Sequence, residues 1–511
     1  MKKLLLLFSL FTFCFSLFTA LQAQNPDLKR TWHWYFGHGA GLDFSNGAPV
    51  AVTNNILSIQ FGGMSAISDT SGQLLFYTDG NTTVVNRNHQ PMPNGSNICN
   101  CIHGDFSSNQ KPIIPLPGNN NIYYIFTAQY TGPYDGMMMY AIVDMAADGG
   151  LGDVVSAQNP VLHHHATTRL AAVKHSNNID WWIITNKYQT DSFFVYLLTA
   201  GGLDTVPVIS KAGHFDNGGG GEIVSSPDGK LLAETFDCIA MPNFPQLFHF
   251  NNTTGVITGP IVSFFASSEC ITMGTQISPD AKKLYFVYQC WVCPVPCISK
   301  NAVYQYDISV LDSASIINSR TLLDTLFIVQ QDTSVPAQNF VMNFSVALQQ
   351  ASDGKIYGDK NSTGKVSSIQ NPNLPGLACN YTDSAVYLNG RYCGAGLIYF
   401  PASFFYINDS VFVGNFEQEP GIENGEKIRI YPNPFNVSAT IEINEKQFTK
   451  AELTIYNILG YVVYKSQIPP CLPAGRNPKF QINRNNLSQG MYLLKIKTQN
   501  NLYTKKLIIT N

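Results

Sequence analysis

Charge is scarce in this chain. Only 13% of its residues are Asp, Glu, Lys or Arg, about half the share of ordinary soluble domains. The formal net charge is −3 and no basic block occurs, which excludes a nucleic-acid groove or a membrane patch held by electrostatics. The motifs of familiar catalysis are missing too. No G-x-S-x-G, H-E-x-x-H, Walker or dinucleotide glycine pattern stands in a supporting context. Gly218-Gly219-Gly220-Gly221 leads into a β-rich run, so no helix N-terminus is offered to a phosphate, and no cofactor is implied. A closed zinc site is excluded as well. Cys290-Trp291-Val292-Cys293 is a lone C-x-x-C, with neither a second one nor a spaced histidine pair.

What is present begins with a leader. Lys2 and Lys3 precede an apolar run over 4–18, and Ala20-Leu21-Gln22-Ala23 supplies a small-residue exit. This predicts a signal peptide over 1–23 and a mature start at Gln24. The alternative is an uncleaved membrane anchor, because the run approaches spanning length. No later run is apolar enough to span. Cys14 lies inside the apolar run and departs with the leader, leaving ten of the eleven cysteines. In an exported chain an even number reads first as disulfides. Cys238, Cys270, Cys290, Cys293 and Cys297 are the candidates, Cys238–Cys270 is one possible pair, and connectivity stays open. About 488 residues remain, too many for one small domain. Aromatics at 12% with 40 glycines suit an all-β extracellular protein with many turns.

A strand–turn–strand phrase recurs between residues 30 and 410. It stands at 66–77 (AISDTSGQLLFY) and, more loosely, at 114–126 and 172–184. Cleaner copies are Ser226-Pro227-Asp228-Gly229 before Leu231, Ser278-Pro279-Asp280-Ala281 before Leu284, and Ser352-Asp353-Gly354 before Ile356. Each sets turn residues between two β-rich runs, as a tight hairpin requires. The turns recur about every 50 residues, the spacing of propeller blades, with an insertion near 311–319. Six phrases leave one blade to find. Residues 396–406 offer inner strands, and 34–44 with 50–56 offer outer ones. Pairing the two ends would close a ring without free sheet edges. The expectation is an all-β fold: a seven-bladed β-propeller over 24–407, with six or eight blades, or two β-sandwiches, as alternatives.

These phrases resemble the blades of WD-repeat and related propellers. The opening 34–44 (WYFGHGAGLDF), with 75–80 (LFYTDG) and 86–89 (NRNH), is similar to a set of secreted propeller proteins from Bacteroidetes. That resemblance implies a fold and a cell-surface setting, and carries no assigned reaction.

Residues 408–427 read as a linker, poor in large apolar groups. The alternation then restarts at 428–435 (IRIYPNPF), 453–460 (LTIYNILG), 487–496 (LSQGMYLLKI) and 504–509 (TKKLII). These are strands and turns enough for a small Ig-like sandwich over 428–511. Their order also resembles the type A C-terminal sorting domain of the type IX secretion system. Its signal residues would be Tyr431, Pro432, Asn433, Pro434, Gly460, Gly490, Tyr492, Lys505 and Lys506. The resemblance implies recognition by secretion machinery at the outer membrane, then release or surface attachment. An ordinary Ig-like module is the alternative.

In a propeller, the loops between second and third strands share a face with the loops between blades. That face would gather His103, Asp105, His163, His165, Arg169, His214, Asp216 and Glu222 as candidate binding residues, with most of the cysteines. No metal site is expected there, since His163-His164-His165 cannot converge without a bend. The expected function is non-enzymatic binding of a glycan or a surface protein outside the cell. The alternatives are a secreted hydrolase or lyase using that face, and a structural adhesin or matrix component; fold alone does not choose.

Overall fold

A four-strand sheet with apolar side chains on both faces is unstable until both are covered, and similar sheets on either side can do this. The computed structural model describes residues 25–406 and 428–509. Within those bounds it omits 60–61, 81, 99–109, 131–135, 156–159, 216–219, 237–244, 265–269, 293–297, 328–346, 361–362, 395, 434, 444–450, 458–461, 469–478, 485–486, 488–489 and 499–501. The predicted leader lies outside these residues. The chain divides into two compact units, Asn25–Tyr406 and one that contains Ile407–Asn511.

The first unit is a propeller. Among the described residues seven antiparallel sheets follow one another, at 33–52, 65–96, 113–164, 166–211, 223–263, 270–327 and 348–387. They are called blades 1 to 7 here. Each sheet is built from neighbouring strands in chain order, and first strands of successive blades lie against one another at most of the seams. The six turn phrases are the hairpins between first and second strands of blades 2 to 7. Side chains brace these turns, and in two of them a serine and the aspartate two positions on do so together. The Ser226 hydroxyl donates to Asp228 Oδ1 at 2.6 Å, and that of Ser278 to Asp280 Oδ1 at 2.7 Å. In blades 3 and 4 the outer strand is split in two: Asp153–Val154 with Val161–His164, and Gly202–Leu203 with Val208–Lys211. The insertion in blade 6 holds a short helix, Ser313–Asn318, capped by Asp312.

The ring closes differently from the expected strand ladder. Blade 1 takes its hydrogen-bonded strands, His33–Phe36, Ala40–Asp43 and Val50–Val52, all from the start of the chain. The late segment does lie innermost, but its bonds go to other blades. Ile398 forms a parallel bridge with Met64, and Tyr399 N donates to Met64 O at 2.9 Å. Between blades 7 and 1, closure joins an antiparallel bridge of His38 with Tyr392, whose O accepts from His38 N at 2.9 Å, to aromatic packing. The fully buried Trp34 stands 4.9 Å from Phe44, 5.9 Å from Tyr357 and 6.1 Å from Phe400, centroid to centroid.

The two ends of this unit are clasped. Asn25 Nδ2 donates to Phe404 O and to Tyr406 O, each at 2.9 Å. Asp27 accepts from Arg30 Nε at 2.9 Å and pairs with Lys174, whose backbone N–H donates to the Ser403 hydroxyl at 3.0 Å. Burial alone would raise the Asp27 pKa, but Lys174 and Arg30 hold it below the usual carboxylate range. A carboxylate with a lowered folded pKa adds stability above its unfolded value of about 3.9, and that stability fades as pH falls through the folded value. Asp27→Asn should therefore flatten the acid limb of the stability curve below about pH 4, read as urea midpoint against pH.

The second unit is a two-sheet sandwich. Ile428–Tyr431, Ser438–Ile443 and Lys479–Asn483 form one sheet. Val462–Ile468, Ala451–Asn457, Gly490–Thr498 and Leu502–Ile509 form the other. Ile441, Leu453, Ile455, Leu494, Ile496 and Leu507 fill the space between. The Ile430-to-Ile443 region shows why period-2 alternation suffices here: Ser438–Ile443 alternates half-buried and buried residues along its length.

Candidate functional site

The first strand of each blade presents an edge to the axis, where no sheet ladder satisfies its N–H and C=O groups. Side chains from neighbouring blades do so. Gln110 Oε1 accepts from Ile223 N at 2.8 Å and Leu170 N at 3.3 Å, while its Nε2 donates to Ile223 O at 2.6 Å. Glu222 Oε2 accepts from Thr275 N at 3.1 Å, and Gln276 Oε1 from Gln350 N at 3.3 Å. Gln349 Oε1 accepts from Phe400 N at 3.0 Å, and Asp359 from Ala347 N at 2.8 Å and Gly396 N at 2.9 Å. These groups stitch blades 3 to 7 together around the axis.

Residues 397–405 occupy the axis. Tyr399 presents its hydroxyl to Ala172 N at 3.5 Å, and Phe404 packs edge-on to Trp181 at 5.2 Å. Leu397, Ile398, Phe400, Phe404 and Phe405 are all buried. Beside the segment remains a cavity of about 10 Å³, whose lining includes Gln110, Glu222, Gln276, Gln349 and Tyr399. That is room for one water molecule. Gln349→Ala should strand the Phe400 N–H and cost about 1–3 kcal/mol, read by denaturant unfolding of the whole chain.

Arg169 stands on the inner strand of blade 4 and is fully buried. Its Nε lies 3.2 Å from Glu234 Oε1, and its Nη1 donates to Gly220 O at 3.2 Å and Thr235 O at 3.4 Å. The guanidinium also sits 4.5 Å over the Phe236 ring. Thr235 links this group to Glu222, whose N–H donates to the Thr235 hydroxyl at 3.0 Å. Gly221 allows the approach. Its φ is +120°, and a Cβ there would stand 2.1 Å from Thr235 O, so only glycine fits.

The remaining candidates are placed apart. His163 lies on a split outer strand of blade 3, paired with Met138, its Nδ1 3.1 Å from the Tyr196 hydroxyl and its ring 4.1 Å from that of Phe194. Burial first, then Lys187, His164 and His165, push its pKa down to about 4, so it is neutral near pH 7. His165 follows that strand with φ +59°, and His214 donates its backbone N–H to Gln246 Oε1 at 3.0 Å. His103, Asp105 and Asp216 lie outside the described residues, as do Cys238, Cys293 and Cys297. Cys270 and Cys290, expected in loops, fall instead within strands Cys270–Ile277 and Lys283–Val292, because the strands of blade 6 extend further than the turn signals suggested. Gln110, Gln276, Gln349, Glu234 and Asp359 were missed by sequence reasoning. The available signal was a glutamine two or three positions before the turn phrase, at Gln276 and Gln349, where an apolar residue is expected.

In the second unit the first phrase docks on the last. Asn433 Oδ1 accepts from Ile508 N at 2.8 Å, and Phe435 N donates to Ile508 O at 3.0 Å. Tyr492 is buried, and Gly490 pairs with Ile509 at φ +151°. Lys505 and Lys506 lie on the last strand opposite Leu494 and Leu493. Tyr431 is partly exposed and followed by Pro432; Pro434 and Gly460 lie outside the described residues.

No curated protein matches this chain in sequence. Among solved structures it is similar to a candidate 6-phosphogluconolactonase from Bacteroides uniformis, at 11% identity and TM-score 0.33, covering 80% of this chain and 94% of that one. A counterpart from Bacteroides fragilis gives 11% and 0.31, covering 80% and 92%. A glucose dehydrogenase gives 11% and 0.33, covering 59% and 94%. Likenesses this weak carry no weight for what this chain does. The tail is different: residues 429–510 match the family described as the secretion system C-terminal sorting domain, and such a tail directs this chain to the cell surface or the extracellular space.

Proposed function

We propose that this chain is an exported propeller that binds a glycan or a surface protein outside the cell, through the loops of one face, without turning it over. One observation carries the reading: the axis is filled by residues 397–405, and the amides and carboxylates along it are bonded to backbone N–H groups. Groups held this way are already spent on structure and are poor candidates for acid–base work. The test is a glycan array and a pull-down with the mature full chain, alongside a polysaccharide turnover assay. Binding without turnover is the expected result; turnover would overturn the reading.

The tail, in this reading, is read by type IX machinery at the outer membrane before release or attachment. Deleting 428–511 should hold the protein in the periplasm, and normal appearance of the truncated chain outside the cell would contradict the assignment.

A further inference from the structure

We propose that Cys270 and Cys290 form a disulfide across the first two strands of blade 6. The backbone register carries the argument. Cys270–Ile277 and Lys283–Val292 pair antiparallel, with Cys270 set opposite Cys290, Ile271 opposite Gln289 and Thr272 opposite Tyr288. On its other side Cys290 has Lys300 of strand Ile298–Asp307. Its one directly opposed cysteine is therefore Cys270. Residues directly opposed in an antiparallel pair have Cα atoms about 4.5 or 5.5 Å apart, depending on the rung, and both values lie within the range a disulfide spans.

The setting supports oxidation. The tail marks the chain for export, and exported thiols meet oxidising conditions. Formation joins the two sulfurs, with loss of two protons and two electrons to a protein disulfide oxidant, which becomes a dithiol. The contrast lies in blade 7 and after it. Cys379 and Cys393 are both buried and unbridged, burial pushes both thiols up, and such thiols react slowly. The bond would tie the start of the first strand of blade 6 to the late part of its second strand, three positions before Cys293 in sequence. It takes Cys270 away from the possible pair Cys238–Cys270, and it does not depend on what the propeller binds.

The test is peptide mapping of the mature full chain, alkylated in the native state without reduction. A linked peptide pair containing Cys270 and Cys290, lost on reduction, is expected, with Cys379 and Cys393 alkylated only after unfolding. Cys270 linked to Cys238 or to any other cysteine, or alkylated in the native chain, would overturn it. Cys290→Ser should release one additional native-state thiol, mapped to Cys270, and lower the melting temperature by roughly 5 °C; an unchanged thiol map in that variant also counts against the bond.

Discussion

Arg169→Met should destabilise the propeller by about 3–5 kcal/mol, the usual cost of leaving the partner of a buried ion pair uncompensated. Arg169 is fully buried and Glu234 is 2% exposed, so water cannot solvate the carboxylate once the guanidinium is gone. The bonds to Gly220 O and Thr235 O and the contact over Phe236 would be lost together. Pairing the change with Glu234→Leu should restore most of the loss, because two apolar residues remove the desolvation cost along with the attraction. Urea unfolding followed by tryptophan fluorescence measures both variants. The same experiment separates the two roles open to Arg169. A ligand-facing arginine would weaken binding and leave the unfolding midpoint unchanged.

The second large effect belongs to the axial segment. Phe404→Ala should cost about 3–5 kcal/mol, the range for emptying a buried aromatic site. Phe404 is fully buried against Trp181, and the backbone around it is bonded to Asn25, so the surroundings have little freedom to collapse into the space. Leu377→Ala is the control: that side chain is 72% exposed, and a surface change of this kind should stay within about 0.5 kcal/mol. Limited proteolysis gives a second readout. If residues 397–405 hold the ring shut, Phe404→Ala should expose cleavage sites in 389–406 before elsewhere. Equal stability of the two variants would show that the axis is lightly packed and that closure rests on Trp34 and Tyr357.

Much of this molecule is local and therefore legible in the chain itself. Turn residues such as Ser226-Pro227-Asp228-Gly229 form contacts within five positions, so their chemistry is complete in a short window. Their spacing located six of the seven blades, and the four tail phrases were enough to mark the sorting domain. The insertion at 311–319 was visible as well, though not its helix.

The axis was not legible, for a physical reason. Whether a glutamine at 110 or an arginine at 169 meets a ligand or a strand edge depends on what stands across the channel, and those partners are far away in sequence. Gln110 meets Ile223, 113 positions on, and Asn25 meets Phe404, 379 positions on. A polar residue in a β-rich run looks the same in either case. The sequence by itself determined the repeat, the turns and the export tail, because each is settled by neighbours along the chain. Only the tertiary structure decided that the chain fills its own channel, because closing a ring brings every inner edge to one line, and the unpaired groups gathered there must be satisfied from within.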